Sequence, residues 1–347
     1  SYENDPGTRQ IQRNIWNADD PIILGMFGRS HVTIAFANNF LRETTSAKLA
    51  ERNVSEATLA EITTYRAEAR LLRALSYYYM MDLFGQANFT TEADAINEQP
   101  QAYNRAQLFD FIESELIAIE SDLAAPMTNE HGRADQGVAA MILAKIYLNA
   151  EVYINQNKYD ECVVELNKLI NGGYSLSPDY LLNFMADNDN NAAKSEIIFP
   201  LISDGTYTQN YGPTTVMING SVGSIEANGA EVGVGAGGWG GALRLRKQFV
   251  NLFNDGVFNT DTRNTIISEN RNIDITDISD KDQGYILQKY SNALSSGGYG
   301  ADQTFVDTDF PLFRLADAYL MYAEAYLRGA TNTTEANALD YVNRIRT

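Results

Sequence analysis

The stretch YRAEARLLRALSYYYMMDLFG, Tyr65 to Gly85, constrains this chain more than any other. Apolar or aromatic side chains at Tyr65, Ala69, Leu72, Tyr79 and Leu83 recur at helical spacing, and Leu71, Leu75 and Tyr78 widen the stripe. No Gly or Pro interrupts the run before Gly85, which stands where a left-handed C-terminal cap belongs. The spacing predicts one long buried helix. Arg66, Arg70 and Arg73 follow at i, i+4 and i+7 and share a face. A helix apolar nearly all round packs on several sides. Its arginines then need carboxylates, because an unpaired buried charge is costly. Near the other end of the chain, FPLFRLADAYLMYAEAYLRG (Phe310 to Gly329) repeats the local pattern, with Asp317 and Glu324 on one face. The expectation is that Glu324 or Asp317 pairs with the arginine line.

Charge narrows the function classes. The chain has 347 residues, 44% of them hydrophobic, enough for a sizeable core. Its 26 Lys and Arg stand against 45 Asp and Glu, a net charge of −19. That surplus argues against nucleic acid and against anionic membrane headgroups, since both require clusters of Lys and Arg. Neutral ligands and proteins stay open, and the 20 Tyr and 15 Phe suit carbohydrate contacts without being diagnostic of them. A single cysteine, Cys162, permits no intramolecular disulfide, and within KYDECVVELNKLI it reads as a small buried thiol. No apolar run reaches the ~18 residues of a membrane-spanning helix. The chain opens on SYENDPGTRQ without a signal peptide and stops inside a helical pattern at NRIRT. It is therefore expected to be the interior of a longer product, with N- and C-terminal parts missing.

Taken in order, residues 1 to about 20 are polar, with Trp16 flanked by Asn and Asp. Pro21 to Arg42 is apolar-periodic and predicts a helix containing Val32, Ala35, Phe36 and Phe40. Ser55 and Glu56 begin the approach to the long helix. A polar connection after Gly85 runs through Pro100, followed by a helix at Ala106 to Leu123 with Leu108, Phe109, Ile112, Leu116 and Ile119 on one side. Helices at Gln136 to Tyr153 and Tyr159 to Ile170 approximate a tetratricopeptide hairpin through Leu143, Ala144, Tyr147, Tyr159 and Cys162, about one residue out of register. The middle differs. SEIIFPLIS (Ser195 to Ser203) is β-like, and Asp204 to Gly241 is a Gly-, Ser- and Asn-rich excursion with isolated aromatics. A short helix at Lys247 to Phe253 precedes two extended segments, TDTRNTIIS and GYILQKYS, around the acidic loop Asp274 to Asp282. Helices are expected to resume from Leu312.

Several of these segments occur in the order of one family. They are IAFANNFLRET (Ile34 to Thr44), AEARLLRALSYYYMMDLFG (Ala67 to Gly85), KSEIIFPL (Lys194 to Leu201), DTR (Asp261 to Arg263) and QKYS (Gln288 to Ser291). FPLFRLADAYLMYAEA (Phe310 to Ala325) and ALDYVNRIR (Ala338 to Arg346) complete the series. In these the chain resembles the SusD/RagB family, outer-membrane nutrient-binding lipoproteins of Bacteroidetes. The resemblance implies a mostly α fold, a tetratricopeptide-like helical hairpin scaffold with long irregular loops and a few short strands. It implies one SusD-like domain over 1–347, with scaffold at 21–173 and 310–347 and a loop-rich, ligand-facing insert at about 174–309. It also implies no cofactor, a SusC-like TonB-dependent porin as partner, and an exposed location on the outer membrane through a lipidated N-terminal cysteine. That cysteine is not in this chain, because Cys162 is interior; the segment that follows the NRIR helix in the family is also absent.

Ligand-facing candidates come from the aromatics outside the helices. Trp239, on a Gly-rich stretch without bulky neighbours, is placed to stack a flat ring on a sugar C–H face, unless it folds back to anchor its own loop. Tyr207, Tyr211 and Tyr299 sit in Gly/Asn/Gln-rich surroundings, and Trp16 with Asn17 puts a ring beside an amide. Tyr77, Tyr78 and Tyr79 lie on the long helix and read as packing residues. GVGAGG (Gly233 to Gly238) and the overlapping GAGGWG (Gly235 to Gly240) match a dinucleotide fingerprint, but no βαβ unit surrounds them and Glu226 and Glu231 would repel a pyrophosphate. His31 and His131 are isolated, and DNDNN (Asp187 to Asn191) lacks the Gly and Glu of a calcium loop, so it reads as a solvated turn and no metal site is expected. No carboxylate pair is singled out by spacing, and no G-x-S-x-G surrounds a serine. The sequence therefore points to a non-catalytic binder of an oligosaccharide or polysaccharide. A tetratricopeptide scaffold for protein, and an α-helical glycosidase, are the alternatives.

Overall fold

The computed structural model describes residues 7–209, 211–221, 233–239, 243–254, 261–280 and 282–346. In chain order its helices are α1 (Thr8–Arg13), α2 (Pro21–Glu43), α3 (Ser46–Glu51), α4 (Glu56–Phe84), α5 (Arg105–Ile119), α6 (Gln136–Leu148), α7 (Ala150–Ile154), α8 (Tyr159–Ile170), α9 (Pro213–Ser221), α10 (Lys247–Asn254), α11 (Leu315–Arg328) and α12 (Glu335–Arg346). The strands are β1 (Gln86–Phe89), β2 (Gln101–Asn104), β3 (Ile197–Leu201), β4 (Ile266–Ile267), β5 (Ile286–Leu287) and β6 (Phe310–Arg314), paired β1 with β2, β3 with β6 and β4 with β5. The fold is mostly helical and tetratricopeptide-like, and divides into two compact units. One is helical, Ile23–Ser175 with Phe313–Thr347; the other is loop-rich, Ser1–Ile22 with Leu176–Leu312. Among the described residues no helix is long and apolar enough to cross a membrane.

In the helical unit α4 is longer than its apolar run. It begins where Ser55 accepts the Thr58 N–H on its side-chain oxygen (3.3 Å) and ends at Gly85, whose φ of 74° only glycine adopts without strain. Its buried seam is Ala67, Leu71, Ala74, Tyr78 and Met81, widened by Tyr77 and Met80. Tyr65, Leu72 and Leu83, read as part of the stripe, are exposed. Periodicity locates a helix but leaves the angle of its inward face open when so many positions are apolar. The same holds on α2, where Ile34, Ala37 and Leu41 are buried while Val32 and Phe36 are exposed. On α5 the reading is met directly: Leu108, Phe109, Ile112, Leu116 and Ile119 are all fully buried, each worth about 1.5–3 kcal/mol over exposure.

α4 packs along α5, α6 on α8, α8 on α11 and α11 on α12. Cys162 is buried on α8 with its thiol 3.3 Å from the Ala144 carbonyl of α6, and burial pushes its pKa up to about 12. The run expected as one helix to Tyr153 breaks at Asn149, which caps α6 and starts α7. Helices resume at Leu315, not Leu312, because Phe310–Arg314 is strand β6. The polar connection after Gly85 is clamped. β1 and β2 pair antiparallel from Gln86↔Asn104 to Phe89↔Gln101, with the Phe89 and Tyr103 rings stacked at 3.9 Å. Tyr77 hydrogen-bonds both the N–H and the carbonyl of Thr90 at 2.8 Å.

The arginine line finds different partners from those expected. Arg70 grips Glu115 of α5 through Nε (3.0 Å) and Nη2 (2.8 Å). Arg73, almost wholly buried, donates to Glu115, to Glu92 and to Asn38. Asp317 pairs instead with Lys145 of α6 (2.6 Å), and Glu324 with Arg328 on its own helix (2.6 Å). The pairing proposed from sequence fails because α11 packs on α8 and α6, whereas the arginine face of α4 meets α5 and the β1–β2 connection. Burial opposes charge on Glu115, but hydrogen bonds from Arg70 and Arg73 outweigh it and hold its pKa below the ordinary 4.5.

In the loop-rich unit, Ile218 of α9, Val234, Ala236 and Val306 form a buried cluster with Tyr290 against it. The long excursion is thus not irregular throughout, since α9 lies inside it. β4 and β5 pair antiparallel, Ile266 opposite Leu287, within the two segments read as extended. DNDNN is a turn with Asp189 and Asn190 exposed, but it is not solvated throughout: Asn188 is fully buried, donating to the Asn183 and Asp309 carbonyls, and Asp187 takes both the N–H and the hydroxyl of Ser295.

Removing the shared carboxylate is the sharpest test of this frame. Glu115→Ala leaves Arg73 buried beside Glu92 alone and is expected to cost about 3–5 kcal/mol in denaturant unfolding. Because the folded pKa of Glu115 is depressed, its contribution is complete above pH 4.5 and is lost as pH falls through the folded value. The variant should therefore show a smaller loss of stability on acidification than the parent chain.

Candidate functional site

Asn219 on α9 organises the loop-rich unit's aromatic patch. It is buried, and its amide is fully used: Oδ1 accepts the Gly238 N–H (3.1 Å), while Nδ2 donates to the carbonyls of Thr215 (3.1 Å) and Thr304 (2.9 Å). Its carbonyl accepts the Trp239 N–H (2.8 Å). The backbone beneath Trp239 and the residue before Phe305 are thus fixed to one helix. Asn292, wholly buried, acts the same way one step along. Its N–H donates to Val234 (2.8 Å), and its Nδ2 to Gly235 (3.0 Å) and Asp302 (2.9 Å). Two side-chain amides here supply what sheet hydrogen bonds supply elsewhere.

On this support the rings meet. The Tyr211 ring lies 5.9 Å from Trp239 and 5.4 Å from Phe305 between centroids, tilted at 52° and 59°. Such pairs attract by about 0.5–1.5 kcal/mol beyond burial. Phe305 is half-buried beneath its contact with Tyr211, while Tyr211 stays 68% and Trp239 40% exposed. Tyr299, 54% exposed, lies across the backbone at Gly235, where φ is +64° and a Cβ would run into the ring. Tyr207, 87% exposed, rides a turn tied to the Phe305 segment by the Gly205 N–H donating to Asp307 (2.6 Å). Tyr207, Tyr211, Trp239 and Tyr299 therefore share connected segments. Trp16 and Asn17 do not join them: no contact among the described residues links them to the patch. Trp16 is half-exposed, and Asn17 accepts the N–H of Asp19 (3.0 Å).

The patch carries no cation. The sequence holds no Lys, Arg or His from Ser195 to Leu243, nor from Tyr290 to Phe313. The flanking cations are committed elsewhere. Arg244 donates to the carbonyls of Ile278, Asp280 and Gln283, and the Lys289 ammonium sits 4.4 Å over the Phe184 ring. The acids of the patch are spent on backbone N–H groups. Asp204 takes those of Thr206 and Tyr207, Asp302 those of Thr304 and Phe305, and Asp307 those of Gly205 and Ala301. These bonds, Phe305 first, hold Asp302 below the ordinary carboxylate pKa.

Among the described residues no group of His, Cys, Asp and Glu could hold a metal ion. The GVGAGG run is a held segment, its Gly237 N–H donating to Gln303 (3.0 Å), and no strand–helix unit follows it among the described residues. Gly240, which ends the overlapping GAGGWG, lies outside the described residues, as do Glu226 and Glu231. Sequence reasoning missed Phe305, Asn219 and Asn292. Phe305 carried a signal, as an isolated ring in a polar loop like its neighbours. The two asparagines carried none, because a buried amide and a surface amide look alike in sequence.

A profile of the SusD family matches residues 254–347. The chain is 33% identical over 325 residues to the starch-binding protein SusD of Bacteroides thetaiotaomicron, covering 81% of this chain and 58% of that one. The chain spans between half and three fifths of the length of the curated relatives it matches. A solved SusD homolog from the same organism superposes with a TM-score of 0.77 at 19% identity, over 99% of this chain and 70% of that one. A second solved structure, described as a complex with xylogluco-oligosaccharide, gives 0.69 at 21% identity, over 97% of this chain and 67% of that one.

Asn219→Ala deletes three side-chain hydrogen bonds in the interior, and each buried partner left unsatisfied costs about 1–3 kcal/mol. The expected result is a lower melting temperature together with a red shift of Trp239 fluorescence, read in a Trp16→Phe background.

Proposed function

Because the chain belongs to the SusD family, we propose that it is a non-catalytic protein that binds a neutral oligosaccharide or polysaccharide and passes it to a TonB-dependent outer-membrane transporter. One observation carries the reading: Tyr211 packs against both Trp239 and Phe305, Tyr211 and Trp239 stay exposed to water, and the backbone at Trp239 is fixed by Asn219. Rings ordered before the ligand arrives lose little entropy on binding, and their apolar faces complement the C–H face of a sugar. Neutrality of the ligand follows from charge. A polyanionic glycan would meet Asp204, Asp302 and Asp307 with no Lys or Arg on the same segments. The relatives named for starch and solved with xylogluco-oligosaccharide point the same way.

The absence of catalysis in this reading rests on the acids. A glycosidase needs one carboxyl with a raised pKa beside a second across the scissile bond. Asp302 is instead held below the ordinary carboxylate pKa by the N–H groups of Phe305 and Thr304, while Asp204 and Asp307 spend their oxygens on backbone N–H groups. The SusC-like porin partner, the lipid anchor and the extracellular face of the outer membrane rest on the family resemblance alone.

Binding to soluble starch and xyloglucan oligosaccharides, measured by affinity gel and calorimetry, tests the reading. Trp239→Ala should weaken it at least about tenfold, a loss of ~1.4 kcal/mol, with Tyr211→Ala close behind and thermal stability retained. Added salt should leave the affinity unchanged. Unaltered affinity in both variants, or release of shorter sugars on incubation, would count against the proposal.

A further inference from the structure

Of the three arginines on one face of α4, two hold carboxylates and one does not. Arg66 uses Nη1 alone, donating to the carbonyls of Leu41 and Thr44 and to the Thr44 hydroxyl at the end of α2. Its Nε and Nη2 donate to nothing among the described residues, and neither is sealed off from water as the Arg73 Nε is. Burial, joined by the Arg70 and Arg73 charges and opposed by Glu92, pulls its pKa below the ordinary arginine value. The cation is therefore held against a desolvation cost that no ion pair of its own offsets.

Arg66 lines a cavity of about 620 Å³ in the helical unit, bounded by the end of α2, by α3 and by the first half of α4. The volume falls in the range of small-molecule sites, roughly 300–1,000 Å³. Ser46, Asn53 and Thr63 contribute polar groups to its wall, and Leu49 and Ile62 contribute apolar surface. Nε and Nη2 form the edge of a guanidinium that accepts a planar anion with two parallel hydrogen bonds. We propose that this cavity is a second ligand site, taking a small polar molecule that carries one carboxylate, sulfate or phosphate group, with Arg66 gripping that group. A uronic sugar is the size and chemistry that fits. Arg70, Glu92 and Asp122 also line the cavity; Arg70 is committed to Glu115, so the two carboxylates leave room for one negative charge and disfavour a polyanion. The site lies in the other unit from the aromatic patch and does not depend on the glycan-binding reading.

Calorimetric titration of the chain with glucuronate, inorganic sulfate, inorganic phosphate and glucose tests it. The expected result is saturable, salt-weakened binding of glucuronate or of an inorganic anion, with glucose failing to compete. Ala50→Trp fills the mouth from an exposed position on α3 and leaves the Arg66 cap on α2 untouched. It should lower the affinity at least tenfold, as should Arg66→Lys, which keeps the charge and loses the fork. Asp122→Asn should tighten binding, and Trp239→Ala should not change it. Glucuronate without sulfate or phosphate identifies a sugar acid; the reverse identifies a sulfate- or phosphate-bearing ligand. No saturable binding up to about 50 mM, where even weak association registers, would overturn the proposal. So would binding that survives both Ala50→Trp and Arg66→Lys, or equal competition by glucose.

Discussion

Glu115 is the group on which the helical unit depends. It is buried on α5 and takes hydrogen bonds from Arg70 and Arg73 of α4 at once, so neither helix can shift along the other without stranding a charge. Leucine packing alone tolerates sliding by a turn; an Arg–Glu–Arg cluster does not. Glu92 extends the same constraint into the β1–β2 connection, and Arg42 of α2 closes it by donating to the carbonyls of Thr91, Glu92 and Asp94. One carboxylate thereby sets the register of α4 on α5, and its neighbours tie in α2 and the connection between them.

The loop-rich unit solves a different problem with different chemistry. It has few long elements to satisfy its backbone, so Asn219, Asn292 and Asn188 do so with buried side-chain amides. An amide both donates and accepts, which suits it to joining three strands of irregular chain at a point. The result is an ordered surface whose rings are exposed without being loose. Glycine matters at one place in particular, Gly235, where a side chain would displace Tyr299.

The two halves of the α4 arginine line lead to different ends. Arg70 and Arg73 are structural, each committed to Glu115. Arg66, with the same side chain one turn away, lines a cavity and uses only Nη1 within the frame. The segments that build the aromatic patch, by contrast, carry no cation at all.

The sequence by itself determined the long helices and their order, the buried α5 face, the glycine that ends α4 and the family, but not the short helices α1, α3 and α9. These follow from local spacing, cap chemistry and motif order, which are properties of neighbouring residues. It also named Trp239, Tyr207, Tyr211 and Tyr299 one at a time, as rings outside helices. Only the tertiary structure decided that Tyr211 meets both Trp239 and Phe305, that Glu115 and not Glu324 or Asp317 answers the arginines, and that Phe36 and Leu72 face outward. Such choices depend on which elements pack together across dozens of residues. With forty-five acids available, spacing along one helix cannot say which of them arrives.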